Sequence, residues 1–214
     1  MYKRQFDNLL PSFSDFILGH VIAKTAEKVE QNIWGGVTAN AGEFDGFTTL
    51  MAADADVNDA ANDAETAFTS GNITDLLGNV VDALPSAVYG KEDLTIYVPT
   101  VAHQAYIRAL GGFGASGLGA AGTDAKGSQW YNMGNALSFE GIKLQLAPGM
   151  PVDHIVAGEA SNLYFGTGLL SDHNEVKIID MADIDGSQNV RVVMRFTSGV
   201  QYGIGSDVAL LTLA

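Results

Sequence analysis

The order of the sequence periodicities predicts an α+β fold. Helical patterning concentrates in the first 110 residues of a 214-residue chain, and short strand-like runs crowd the remainder. Apart from one early strand the strands are late and mostly local, and no internal repeat occurs, so a doubly wound parallel sheet is not expected.

The first helix is expected over about Asp15–Trp34. Ser12 or Ser14 can cap it, and Ile17, Leu18, Val21, Ile22, Ala26, Val29 and Ile33 recur at helical spacing. Gly35 and Gly36 should end it as a left-handed C-cap. Twenty residues rising about 1.5 Å each make a rod about 30 Å long, enough to span a domain of this size. Residues 35–72 are rich in Gly, Ala and Asp with weak periodicity. They read as an extended loop with a short helical turn at Asn58–Phe68. A second helix is expected from Asn72 or Thr74 to Leu84, with Leu76, Leu77, Val80, Val81 and Leu84 on one side and Pro85 ending it. Leu94–Val98 alternates and is β-branched, which marks a strand closed by Pro99. His103–Leu110 reads as a third helix. Gly111–Gly122 reads as a flexible glycine-rich loop. Short strands follow at Ile142–Leu146, His154–Ala157 and Leu163–Gly166. Longer ones follow at Glu175–Asp180 and Asn189–Thr197, and one or two more lie within Gln201–Thr212.

Composition removes whole classes of function. Hydrophobic residues at 47 % and charged residues at 17 % exclude a disordered solvating chain. With no Cys there are no disulfides, thiolate zinc sites, iron–sulfur clusters or Cys nucleophiles. No apolar run approaches the roughly 18 residues of a membrane span, and the N-terminus lacks the apolar core of a signal peptide. Eleven Lys and Arg against 25 Asp and Glu leave a net charge of −14. This argues against a nucleic-acid-binding surface, which needs clustered cations. The charge is concentrated. Between Lys28 and Lys91 there is no cation, while Glu30, Glu43, Asp45, Asp54, Asp56, Asp59, Asp63, Glu65, Asp75 and Asp82 supply ten anions. That stretch reads as a solvated face or loop, one that repels DNA.

Several constellations bear on chemistry. Gly112-Phe-Gly-Ala-Ser-Gly117 has the spacing G-x-G-x-x-G, but a dinucleotide site needs it between a strand and a helix, and here it follows a helix. Asp54, Asp56, Asn58, Asn62 and Glu65 fall at EF-hand ligand positions, yet Asp59 stands where that loop needs Gly; an acidic surface loop is the stronger reading. His20, His103, His154 and His173 share no metal-ligand spacing. His154 beside Asp153, or His173 beside Asp172, leaves a small hydrolase as a minor alternative, without a G-x-S-x-G elbow to support it. Asn72-Ile-Thr74 is a glycosylation sequon with no secretory context. Trp34, Trp130, Tyr131 and Phe165 are scattered, with no basic stripe between them. No catalytic, cofactor-binding or metal-binding residue is assigned, and no cofactor is expected.

The order of segments carries a further signal. Glu30-Gln-Asn-Ile-Trp-Gly-Gly36 ends the long helix and Gly42-Glu-Phe-Asp-Gly-Phe47 follows. Leu77-Gly-Asn-Val-Val-Asp-Ala-Leu-Pro85 precedes the strand Ile96-Tyr-Val-Pro-Thr100. Then come Phe139-Glu-Gly-Ile-Lys-Leu144, Pro148-Gly-Met-Pro-Val152, Ile155-Val-Ala-Gly158, Asn162-Leu-Tyr-Phe-Gly-Thr-Gly168 and Arg191–Tyr202. From about Phe13 onward this arrangement resembles the major capsid proteins of tailed bacteriophages, the Hong Kong 97-type fold. The resemblance implies a long spine helix, a peripheral-domain sheet and an axial domain. Residues 1–72 would hold the spine helix and acidic loop of the peripheral domain, and 73–172 the axial domain. Residues 173–198 would be returning peripheral strands, and 199–214 strands back in the axial domain.

The resemblance further implies a structural protein that assembles with copies of itself. Hexamers and pentamers would tile an icosahedral head around double-stranded DNA. Other capsid subunits, scaffold and portal proteins are the implied partners, with no specific nucleic-acid binding and no membrane. The location would be the virion, assembled in the bacterial cytoplasm. An encapsulin-type cargo compartment is the alternative on the same fold, and a calcium-dependent module on Asp54–Glu65 a more remote one. Family members carry an N-terminal arm and a long hairpin before the spine helix, for which a dozen residues leave no room. Tyr2-Lys-Arg-Gln5 is also the translation of TATAAGAGACAG, the end of a common transposon sequencing adapter. The expectation is therefore a C-terminal piece of a longer protein, one that assembles poorly by itself.

Overall fold

The computed structural model describes residues 13–110, 137–168, 176–181, 184, 186, 190–194 and 197–214. Two compact units divide the chain, one of residues 1–29 with 166–198 and a larger one of 30–165 with 199–214.

Helix α1 runs Phe13–Gly35, longer at both ends than its periodicity predicts. Ser14 lies within it, and Ser12 falls outside the described residues. The expected left-handed cap is not used, because neither Gly35 nor Gly36 has a positive φ. Threonines on the next helix take over the free carbonyls instead. Thr48 Oγ1 donates to the Trp34 carbonyl and Thr49 Oγ1 to that of Gly36, each at 2.8 Å. That next helix, α2 (Phe47–Ala53), and the strand β1 (Asn58–Asp59) replace the expected featureless loop. The helical turn expected at Asn58–Phe68 does not form. Asp63 and Ala64 take left-handed φ of 51° and 58°, and Asn62 is drawn sideways, its Nδ2 donating to the Thr212 carbonyl at 2.9 Å.

Helix α3 (Ile73–Ala83) follows as expected, burying Ile73, Leu76, Leu77, Val80 and Val81. Asn72 precedes it, but its carboxamide turns back into the loop, accepting from Thr69 N at 2.8 Å and donating to the Ala67 carbonyl at 3.0 Å. Strand β2 is Leu94–Val98. Helix α4 (Thr100–Leu110) starts three residues before its expected position, because the Pro99 carbonyl accepts from His103 N at 3.0 Å. The segment 111–122, expected as a loop, lies outside the described residues.

Strands β3 (Ser138–Phe139), β4 (Ile142–Leu146), β5 (His154–Glu159), β6 (Leu163–Thr167), β9 (Ser198–Tyr202) and β10 (Ala209–Thr212) follow, with Gly166, Thr167 and Ser198 counted to the smaller unit. Six strands form one mixed sheet in the order β1-β10-β5-β2-β4-β3. Pairs β1/β10 and β2/β4 are parallel; β10/β5, β2/β5 and β3/β4 are antiparallel. The β3–β4 turn places Glu140 (φ 50°) and Gly141 (φ 82°) in left-handed backbone, the twist a two-residue hairpin needs.

Alternation along the strands gives the sheet two apolar faces. Ile96, Val98, Leu144, Ile155, Ala157, Ala209 and Leu211 turn to the core with α3 and α4. Val156, Val208 and Leu210 turn to a second core with Trp34, Phe47, Met51 and Met150, against which Tyr97 is packed. Each fully buried Ile or Leu contributes about 1.5–3 kcal/mol relative to exposure. Trp34 anchors the second core, its ring centroid 5.7 Å from Phe47 and 5.1 Å from Tyr97. Backbones also press together here. A Cβ on Gly46 would stand 2.6 Å from the Asn32 carbonyl oxygen, and one on Gly149 would collide with the Glu30 carbonyl.

The smaller unit comprises the first part of α1 and an antiparallel hairpin of β7 (Val176–Asp180) and β8 (Val190–Met194), with Val176 opposite Met194.

Candidate functional site

Strands β6 and β9 pair as a two-stranded ribbon. Asn162 fixes the ribbon's base. Its Oδ1 accepts from Gly203 N at 3.1 Å and Ile204 N at 2.9 Å, and its Nδ2 donates to the Ile204 carbonyl at 2.8 Å. Leu163, Val200 and Tyr202 turn one side of the ribbon into the second core. Phe165, two residues beyond Leu163, continues that side yet is 53 % exposed, and Tyr164 on the opposite side is 57 % exposed. Ile204 is 55 % exposed.

A second anchor lies under the ribbon. The Tyr202 hydroxyl donates to Asp54 Oδ2 at 2.7 Å, and Asp56 N donates to Asp54 Oδ1 at 3.0 Å. Burial, then the Asp54 hydrogen bond, pushes the Tyr202 phenol far above its ordinary range, while the same bond holds Asp54 below the usual carboxylate range. Further along, Ser161 Oγ donates to Asp93 Oδ2 at 2.5 Å and lowers that carboxyl's pKa. Lys91 pairs with Glu159, which raises its pKa.

The residues singled out for chemistry do not converge. The five EF-hand positions are dispersed: Asp54 serves Tyr202, Asn58 Nδ2 donates to the Ser206 and Val208 carbonyls, and Asn62 binds Ala64 N and the Thr212 carbonyl. Among the described residues no group of three or more His, Asp or Glu is arranged to hold a metal ion. His154 Nδ1 and Asp153 Oδ1 do meet, at 2.7 Å. His173, Asp172 and the Gly112–Gly117 stretch lie outside the described residues. His103 is half-buried, which pushes its pKa down. The sequon's Asn72 spends its carboxamide within its own loop.

No protein-family model matches the chain, and no curated protein matches it by sequence. Solved structures do. A chain from the capsid of an empty GTA particle matches with a TM-score of 0.59 at 14 % identity, over 99 % of this chain and 70 % of its own. One from Mycobacterium phage Che8 gives 0.55 at 13 %, over 98 % and 66 %. One from the satellite phage P4 procapsid, with its size determination protein, gives 0.53 at 11 %, over 95 % and 68 %. The chain has a phage major capsid protein fold.

The larger unit holds 17 acidic and 4 basic residues, a net −13, whereas 160–168 and 197–206 in and around the ribbon contain none of either sign. Several carboxylates of the acidic stretch are structural. Asp45 Oδ1 accepts from Thr38 N at 2.8 Å, and Glu43 Oε2 accepts from Asn40 Nδ2 at 3.0 Å, together shaping the turn after α1. Sequence reasoning missed Asn162 and Tyr164. A short apolar run such as Leu163–Thr167 reads as a buried strand, and exposure on both sides is a tertiary property. No helix among the described residues is long and apolar enough to cross a membrane.

Proposed function

We propose that this protein is a non-catalytic shell subunit of a tailed-phage head. It self-assembles into hexamers and pentamers of an icosahedral capsid around double-stranded DNA. The observation that carries the reading is coverage: at least 95 % of the chain aligns with a chain of each of three phage or GTA particle structures at TM-scores of 0.53–0.59. The Asp153–His154 pair is the only part of the hydrolase alternative among the described residues, and it lacks an identified nucleophile.

In this reading residues 73–172 and 199–214 form the axial domain at the capsomer centre, and 1–72 with 173–198 the peripheral domain, whereas the two compact units divide after residues 29, 165 and 198. Helix α1 is the spine, and scaffold and portal proteins are heterologous partners in the host cytoplasm. The acidic larger unit suits a shell that encloses DNA without gripping it, since its charge repels phosphate. Electron microscopy of the purified full-length protein tests the reading, since residues 1–214 alone are expected to assemble poorly. Rings or closed particles are expected, and a full-length protein that sediments as a monomer at its highest soluble concentration overturns it.

A further inference from the structure

We infer that the β6–β9 ribbon is a contact surface for a second copy of this chain, with Tyr164, Phe165 and Ile204 as its apolar anchors. The inference rests on the shell reading and names where one contact of that shell falls.

Charge selects the occupant. Two copies of a unit at −13 repel wherever their acidic surfaces approach, so a stable contact between them forms where neither carries charge. The stretches 160–168 and 197–206 meet that condition. A cationic partner would instead settle on the acidic stretch between Lys28 and Lys91. The anchors are also of the right kind. Aromatic side chains dominate the energetic centres of interfaces, and each of these three is more than half exposed within one chain. They are held in place rather than loosely displayed. Asn162 pins the backbone of Gly203 and Ile204, and a Cβ added at Gly203 would stand 3.4 Å from Tyr164 Cε2, so that ring lies across the glycine. A pre-positioned anchor loses less entropy on binding.

The test places a photo-reactive benzoylphenylalanine at 164 or 165 in the full-length protein, which is the parent throughout, mixed as isotopically heavy and light copies. Heavy–light cross-links are expected. In parallel, Tyr164→Asp and Phe165→Asp should each raise the concentration needed for association about tenfold or more, the loss of one buried aromatic anchor. Both should melt within a few degrees of the parent, and Val152→Asp, an equally exposed apolar site, should associate normally. If the parent associates and these variants do so equally well, or if the cross-links stay within one copy or capture another protein, the ribbon assignment falls while the shell reading stands. A parent that remains monomeric overturns both.

Discussion

The carboxamide of Asn162 copies a peptide group for Ile204, accepting from its N–H at 2.9 Å and donating to its carbonyl at 2.8 Å. A side chain thus extends the β6–β9 ladder past its last backbone pair, the Gly203 N to Asn162 carbonyl bond at 3.1 Å. Asn162→Ala should cost about 1–3 kcal/mol, since several hydrogen bonds worth about 1 kcal/mol each are lost from a partly solvated site. Asn162→Asp keeps the acceptor but loses the donor, so it should fall between. Urea denaturation measures both, and hydrogen exchange should speed up at the Gly203 and Ile204 amides.

Trp34 joins the end of α1 to the sheet. Its ring lies between Phe47 and Tyr97, and its Nε1 donates to Glu30 Oε1 at 3.2 Å. Trp34→Ala should destabilise by about 3–5 kcal/mol, the range for emptying a buried aromatic site. Trp34→Phe keeps most of the packing and should cost less. Thermal melts of both variants decide whether the second core is as continuous as the contacts require.

Two glycines should respond in opposite directions to the same methyl group. Gly149→Ala drives a Cβ into the Glu30 carbonyl, a backbone group that cannot swing aside, and should cost about 1–3 kcal/mol. Gly78 sits inside α3 with no atom within 4 Å of an added Cβ, so Gly78→Ala should stabilise by about 0.5–1 kcal/mol. Equal shifts in the two melting temperatures would contradict the packing around Gly149.

How far the sequence can be read depends on how local each signal is. Strands Leu94–Val98 and Ile142–Leu146 stand where alternation alone puts them, and α3 follows its apolar face. The strand β1 could not be read. Asn58 and Asp59 have no strand preference, and their pairing partners Ala209 and Leu210 lie 151 residues away. The end of α1 shows a similar limit. Gly35-Gly36 looks like a left-handed cap, but Thr48 and Thr49 on α2 cap the helix from outside, a contact no local window contains. The ribbon's exposed side chains are illegible for the same reason, since Leu163 and Phe165 are alike in sequence and differ only in what covers them.

Glu140 holds a left-handed φ of 50° in the β3–β4 turn, where a non-glycine residue with a long side chain is disfavoured. Asn tolerates that backbone better and, before Gly141, gives the preferred pair for such a hairpin. Glu140→Asn should therefore raise stability by about 1 kcal/mol. A melting temperature that does not rise would mean the turn relaxes to another conformation in solution.

Acid should weaken the larger unit in two stages, each with a defined sign. Burial lowers the His103 pKa below its ordinary 6.5, so its contribution is complete above pH 6.5 and is lost as pH falls from there toward the folded value. Asp54, held down first by the Tyr202 hydroxyl and then by Asp56 N, contributes fully above its ordinary 3.8 and loses that contribution as pH falls below it. Asp93 and Asp45 follow the same course through Ser161 and Thr38. A net charge of −14 works the other way, because protonating carboxylates relieves repulsion. The informative quantity is thus a difference between two proteins that share that background. Tyr202→Phe removes the donor to Asp54 while leaving the ring in the second core, so the stability gap between parent and variant should be constant near neutrality and shrink below about pH 4. Urea denaturation of both proteins across pH 3–8 checks this. A gap that stays constant to the acid end would show that the Tyr202–Asp54 bond does not set the carboxyl's ionisation.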